Sequence, residues 1–137
     1  KATIVLMDLD NCPFCLIITE LQSDAIILEN TYSVAILDLY PLSEGHTLVI
    51  PKVHVEDYFR LSTEQTNSIW SLVAETKEYL EELHKPDGFN VGINIGSAAG
   101  QTVNHCHIHV IPRYQGDIED PRGGIRWAIP QYAQYWD

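Results

Sequence analysis

The sequence predicts an α+β domain, an antiparallel sheet of about five strands with one long helix and a short helix. Three observations lead there. The apparent elements run strand, strand, strand, helix, strand, strand, without the βαβ alternation of a doubly wound sheet. The first two strands are separated only by Asn30-Thr31-Tyr32, a connection that suits an antiparallel hairpin. One stretch alone sustains a helical period over about five turns. At 137 residues the chain forms one domain, residues 1–137, and is too short for two ordinary ones.

Taken in order, Ala25 to Glu29 and Ser33 to Leu37 are short β-branched and apolar runs, the two arms of the hairpin. After the turn-rich Tyr40-Pro41-Leu42-Ser43-Glu44-Gly45, the run from His46 to Pro51 reads as a third strand, stopped by a proline that cannot continue a central ladder. Ser62 to Gln65 matches a capping box and opens the long helix, which lasts to His84. Ile69, Leu72, Val73, Thr76, Leu80 and Leu83 recur at helical spacing and form the core face, while Glu75, Glu78, Glu81 and Glu82 form a solvated one. His84 sits at the helix end, where a cation suits the dipole. Pro86-Asp87-Gly88 breaks the pattern, Phe89 to Ile95 reads as a strand, and Val103 to Pro112 as the last one. Residues 115–137 are an irregular C-terminal tail of Gly, Pro, Arg and aromatic residues.

Apolar residues make up 45% of the chain and charged ones 20%, a globular composition. Eight Lys and Arg against nineteen Asp and Glu give a net charge of -11, the wrong sign for gripping nucleic acid by counterion release. No apolar run reaches the length of a membrane span, and Ala2 to Met7 is too short for a signal peptide and is followed by Asp8 and Asp10. The three cysteines, two of them in Cys12-Pro-Phe-Cys15, suit a reducing compartment. The expectation is a cytoplasmic protein with neither a nucleic-acid nor a membrane partner.

The chemistry concentrates in His105-Cys106-His107-Ile108-His109-Val110-Ile111. In a strand, residues two apart share a face and lie about 7 Å apart, so all three imidazoles point the same way. Cys106, Ile108 and Val110 then enter the core, which makes Cys106 a buried apolar group and not a nucleophile. Three same-face imidazoles are poor core material, since each ring nitrogen needs a partner. Metal binding, or nucleophilic and acid–base chemistry, is the better use of groups that titrate near neutrality.

Gly100 to Arg113, with its His105-Cys106-His107-Ile108-His109, resembles the signature of the histidine-triad family of nucleotide hydrolases and transferases. The resemblance extends through Asp38, the run Gly45 to Lys52, and Asn94. It implies that His107 attacks the α-phosphorus of a nucleotide, forming a nucleotidyl-histidine that water cleaves. His109 and His46 are placed beside the transferred phosphate, with Asn94, Gln101 and Thr102 as neutral donors to phosphate oxygens. Asp38 is placed to accept from the ribose hydroxyls, and Phe14, Ile17, Ile36, Leu37 and Leu39 are candidates to hold the base. The histidine at the third triad position, His109, resembles the hydrolases of the family and not its transferases. Thr102 and Val110-Ile111-Pro112-Arg113 resemble the branch that cleaves dinucleoside polyphosphates, and Asn94 the branch that cleaves nucleoside phosphoramidates. Dinucleoside polyphosphate hydrolysis is the first expectation. Phosphoramidate hydrolysis is the second, and nucleotide binding without turnover is a third reading against which the intact histidines argue.

Cys12-x-x-Cys15 is half of a tetrahedral zinc site. By resemblance to zinc-carrying family members, His54 and His105 complete a structural Cys2His2 set, with zinc as the cofactor. Homodimers are common in the family, and the long helix, with Trp70, is the expected contact. A polyanionic substrate approaching a chain of charge -11 needs local positive charge, for which Lys52, Arg113, Arg122 and Arg126 are the candidates. The tail that carries the last two is expected over the distal phosphates or over a partner's site.

Overall fold

The computed structural model describes residues 11–19 and 23–137; the run Ala2 to Met7, on which the signal-peptide reading rests, lies outside them. A helix α1 (Pro13–Thr19) precedes the hairpin β1 (Ile26–Glu29) and β2 (Ser33–Leu37). Then come β3 (Thr47–Pro51), the long helix α2 (Thr63–His84), β4 (Gly88–Ile93) and β5 (Ile108–Arg113). The sheet order is β1-β2-β3-β5-β4, and every pairing is antiparallel. The α+β prediction stands: a five-stranded antiparallel sheet with one long and one short helix.

Helix α2 forms where the capping box placed it. The Ser62 side chain accepts from the Gln65 amide, and the Gln65 side chain accepts from the Ser62 amide. Ile69, Leu72, Val73, Thr76 and Leu80 are buried and pack on Ala35, Val49, Ile108 and Val110, and the four glutamates face solvent. Leu83 departs from the expectation, at 58% exposure. A helix of 22 residues is about 33 Å long, so its last turn outruns strands of five or six residues.

The opposite face of the sheet carries a second cluster, Val34, Ile36, Leu48 and Ile50, covered by Cys12, Phe14 and Cys15 from the segment of α1. Antiparallel partners project to the same side, so the pair Leu48 and His109 places His109 on this second face. The sheet thus separates a helix-covered core from a face that holds histidines.

Four strands differ in extent from the sequence reading: β1 starts one residue later, β4 runs Gly88–Ile93 and ends two residues short of Ile95, and the other two bear on the site. His46 lies in the turn before β3, and β5 starts at Ile108 instead of Val103. The β3–β5 ladder stops at the pair Val49 and Ile108, and the Cys106 amide donates to the Val55 carbonyl instead of to a strand. Residues 103–107 therefore bend away from the sheet. The tail is built from two 3-10 turns, Gly124–Ala128 and Pro130–Tyr132. No helix among the described residues is long and apolar enough to cross a membrane.

Candidate active site

At the entry to β5, His107 is buried and its Nδ1 lies 2.8 Å from the His105 carbonyl oxygen. A carbonyl only accepts, so Nδ1 carries the ring proton and Nε2 keeps a free lone pair. The edge-to-face packing of Phe14, at 5.2 Å between ring centroids, fixes the ring from the other side. Phe14 also packs on His105 at 5.7 Å.

His46 is set by the turn before β3. The Leu42 amide donates to its Nδ1 over 3.0 Å, so the His46 proton resides on Nε2. That Nε2 is 3.0 Å from His109 Nδ1 and 3.4 Å from an Asp38 carboxylate oxygen. The shorter contact makes His109 Nδ1 an acceptor, which leaves the His109 proton on Nε2. One backbone amide thereby sets the tautomers of two rings in series. Burial pulls His46 below the ordinary histidine range against the opposing pull of Asp38. Burial, with His107 and His46 as neighbours, takes His109 down to about 4. Both rings are neutral near pH 7.

The turn that holds His46 is itself clamped. Ser43 Oγ donates to the Pro112 carbonyl over 2.6 Å, and the Tyr114 hydroxyl donates to the Glu44 carbonyl over 2.7 Å. Gly45 has φ +91°, and a Cβ there would lie 2.8 Å from the His84 ring. His84 also contacts the Glu44 carboxylate at 3.3 Å. The helix-end histidine therefore packs beneath the turn, and it takes part in no histidine chain.

Among the residues expected to bind phosphate, Asn94 and Thr102 are exposed. Gln101 is buried and engaged by the loops around it. Its amide nitrogen donates to the carbonyls of Glu56 and Val103, its amide oxygen accepts from Gly96, and its backbone N–H donates to the Gly96 carbonyl. Its donors close its own loop and tie it to the segment that carries Glu56. Asp38 is both a turn residue, accepting from the Tyr40 amide at 2.9 Å, and a neighbour of His46.

The base-binding candidates divide. Ile36 and Leu37 project to opposite faces of β2, so they cannot clasp one base between them. Ile36 is 1% exposed within the second core cluster, while Leu37, on the helix side of the sheet, is half-exposed. Phe14 is buried against the histidines and Ile17 packs at the margin of that cluster. Leu39 is exposed.

The cationic candidates are occupied. Lys52 pairs with Glu29, and Arg113 makes a two-pronged contact with Asp117 and a third bond to Asn90. Arg122 pairs with Asp120, and Arg126 donates to the carbonyls of Tyr132 and Ala133. Each of the four has a carboxylate, amide or carbonyl partner within the chain.

Cys12, Cys15, His54 and His105 bring one ligand atom each within 4.8 Å of one another. Cys15 Sγ is 3.1 Å from His54 Nδ1 and 3.5 Å from His105 Nδ1, and Cys12 Sγ is 3.5 Å from His105 Nδ1. His105 Nε2 lies 2.9 Å from the Pro51 carbonyl, so the proton is there and Nδ1 is bare for a metal. Burial and the adjacent Cys12 push the Cys15 thiol up to about 12, the behaviour of a thiol that ionises only beside a cation. The donor set fits zinc, closed and structural. Asp38, His46 and His109 also lie within metal-ligand distance of one another. There the Leu42 amide keeps the proton on His46 Nε2, the atom a metal would need, so this cluster is built for hydrogen bonding.

The spacing of the triad is visible in sequence, but the Leu42 amide, the Ser43 and Tyr114 clamps and the packing of Phe14 on His107 are not. A backbone donor four residues from its acceptor leaves no residue-type signal.

An antiparallel α+β domain with serially bonded imidazoles on one sheet face defines the histidine-triad class. A family model described as HIT domain matches residues 19–116, and the chain belongs to that family. A HIT-like protein of Methanocaldococcus jannaschii is 41% identical over 108 residues, covering 79% of this chain and 83% of the relative. A Zn-bound histidine triad family protein from Mycobacterium smegmatis is 39% identical, with TM-score 0.72 over 80% of this chain and 79% of that one. Adenylylsulfatase HINT3 of Arabidopsis thaliana is 35% identical over 108 residues, 79% of this chain and 55% of the relative. The AP-4-A phosphorylase of Mycobacterium tuberculosis is 36% identical over 84 residues, 61% of this chain and 43% of the relative.

Proposed function

We propose that the chain is a nucleotide hydrolase acting at an α-phosphorus through a nucleotidyl-histidine. The observation that carries this is the bond from His107 Nδ1–H to the His105 carbonyl, which in the neutral ring leaves the lone pair on Nε2. Nε2 forms the bond to phosphorus as the leaving group departs, and water then breaks the P–N bond. His109 donates its Nε2 proton to a phosphate oxygen and His46 holds it in that tautomer. Asn94 and Thr102 add neutral donors, Gln101 shapes their loop, and Asp38 accepts from the ribose. Phe14 aligns the nucleophile and offers the base at most its margin. Cys12, Cys15, His54 and His105 would hold a zinc, which would supply a cross-link and no step of the reaction.

The preferred substrates are dinucleoside polyphosphates such as diadenosine tri- or tetraphosphate, a reading supported by similarity to the AP-4-A phosphorylase. A second reading, a nucleoside monophosphate linked to a small group, as in a phosphoramidate or adenylyl sulfate, is favoured by a specific observation. The four cations expected for a phosphate chain are all engaged elsewhere. We also take the protein to be a cytoplasmic homodimer contacting through α2, a state that sedimentation tests.

Product analysis of wild type and His107→Ala on both substrate classes decides among these readings. AMP released from dinucleotides by wild type, with loss of more than about 10³-fold in His107→Ala, is expected. Cleavage of the phosphoramidate alone moves the substrate to the second reading. Nucleotide binding without any turnover overturns the enzyme.

A further inference from the structure

The turn that carries His46 sits where the end of α2 meets the exit of β5. Just beyond α2, the Asp87 amide donates to the Arg113 carbonyl over 2.8 Å, and the Gln115 amide donates to an Asp87 carboxylate oxygen over 2.7 Å. The two chain ends are thereby tied to each other, and both reach the turn. From β5, the Pro112 carbonyl takes the Ser43 hydroxyl and the Tyr114 hydroxyl finds the Glu44 carbonyl. From α2, His84 Nδ1 lies 3.3 Å from a Glu44 carboxylate oxygen, and the His84 ring fills the space beneath Gly45. A Cβ at Gly45 would stand 2.8 Å from His84 Cδ2 and 3.3 Å from Leu80 Cδ2. The bare glycine backbone therefore rests on a shelf made by two side chains one helical turn apart. Within the turn, the His46 amide donates to the Ser43 carbonyl and the Leu42 amide to His46 Nδ1. The aim of that Leu42 amide decides which nitrogen of His46 is protonated, and His109 follows.

We propose that His84 is a positioning residue for the pair His46 and His109: its flat ring, lying beneath Gly45, holds the turn at the height at which the Leu42 amide meets His46 Nδ1. His84 touches no reacting atom. It acts through its neighbour Gly45 on the tautomer of His46, and through that on the proton that His109 offers to a phosphate oxygen. Remove the ring and Gly45, the residue type with the widest backbone freedom, settles into the gap. The Leu42 amide then loses its alignment, and a hydrogen bond weakens steeply with angle. With Nδ1 no longer held as an acceptor, His46 divides between its two neutral tautomers, and so does His109. The effect on turnover rests on the reading of His107 as nucleophile and His109 as phosphate donor; the effect on the tautomers does not.

NMR of the imidazole nitrogens in isotopically labelled protein, at about pH 7.5, reads the tautomers directly. Wild type is expected to carry the His46 and His109 protons on Nε2; a His46 proton on Nδ1 overturns the proposal at the outset. In His84→Ala both rings shift toward a mixture of tautomers, kcat falls about tenfold and KM changes less than about twofold, because the misplaced donor serves the transition state. His84→Phe, which restores a flat ring beneath Gly45 without the contact to Glu44, recovers most of both losses. Unmoved ring nitrogens in His84→Ala, mixed tautomers with kcat unchanged, or a Phe variant as impaired as the Ala variant each overturn the proposal. A lower melting temperature with unmoved ring nitrogens is the mark of a merely structural residue and does the same. Should His84→Ala not fold, His84→Leu, which keeps the volume and loses the flat face, takes its place under the same criteria. If wild type turns over none of the substrates, the nucleophile reading fails by itself, and the tautomers still decide the role of His84.

Discussion

At the scale of residues, the site is a sequence of fixed protons. The Leu42 amide, His46 and His109 form one directed chain, and His107 with the His105 carbonyl forms another. Burial holds His109 neutral down to about 4 and draws His46 the same way, whereas in the unfolded chain both take up protons near 6.5. Stability from these groups is therefore full above pH 6.5 and is lost as pH falls from there toward 4. His109→Gln is expected to show a shallower loss than wild type in denaturant unfolding at about pH 7, 5.5 and 4.5. Zinc release acts on both proteins alike, so parallel curves refute the assignment. The histidines themselves were legible in sequence, because alternate spacing on β-branched residues has few other uses. Their proton positions were not, since these depend on a backbone donor and a carbonyl that no side-chain pattern marks. That Ile36 and Leu37 serve different faces was hidden for the opposite reason: adjacent apolar residues look alike in sequence and face apart in a strand.

Among the elements, α2 and the hairpin follow from local signals, the capping box and a three-residue connection. The bend at 103–107 does not, because it is imposed by two long-range demands. The Val55 carbonyl takes the Cys106 amide, and the His105 ring joins Cys12, Cys15 and His54. The same bend brings the His105 carbonyl to His107, so α1, the zinc-type cluster and the entry to β5 form one unit. We expect about one zinc per chain by elemental analysis, and none retained by Cys15→Ser. The variant's melting temperature drops by more than about 5 °C, because a closed cross-link between α1 and the sheet is lost. Two zincs per chain, the second held in Cys15→Ser, refutes the hydrogen-bonding role given to Asp38, His46 and His109.

On the scale of the whole molecule, charge and function pull against each other. A net charge of -11 repels a polyanion, and Lys52, Arg113, Arg122 and Arg126 are all engaged in holding the fold. Substrate encounter is then opposed by the long-range field, which salt screens over about 10 Å at 0.1 M. The expected outcome is a kcat/KM for an anionic nucleotide that rises between roughly 20 and 200 mM salt at constant pH. A fall over that range reveals an unscreened cationic patch and reinstates the basic residues as substrate ligands. Composition made the conflict visible, and the structure shows that these four side chains already have partners within the chain.

The alternation of β5 has one more consequence. Ile108 and Val110 face the helix while His109 faces the histidine cluster, and the pairs with Val49 and Leu48 hold that arrangement. Sliding β5 by a single residue against β3 drives an imidazole into the hydrocarbon interior and turns isoleucine toward the histidine cluster. Folding and chemistry thus fail together. No population of well-packed but inert slipped chains can accumulate, and loss or gain of one codon within this strand is removed at the level of the folded protein before it is tested by activity.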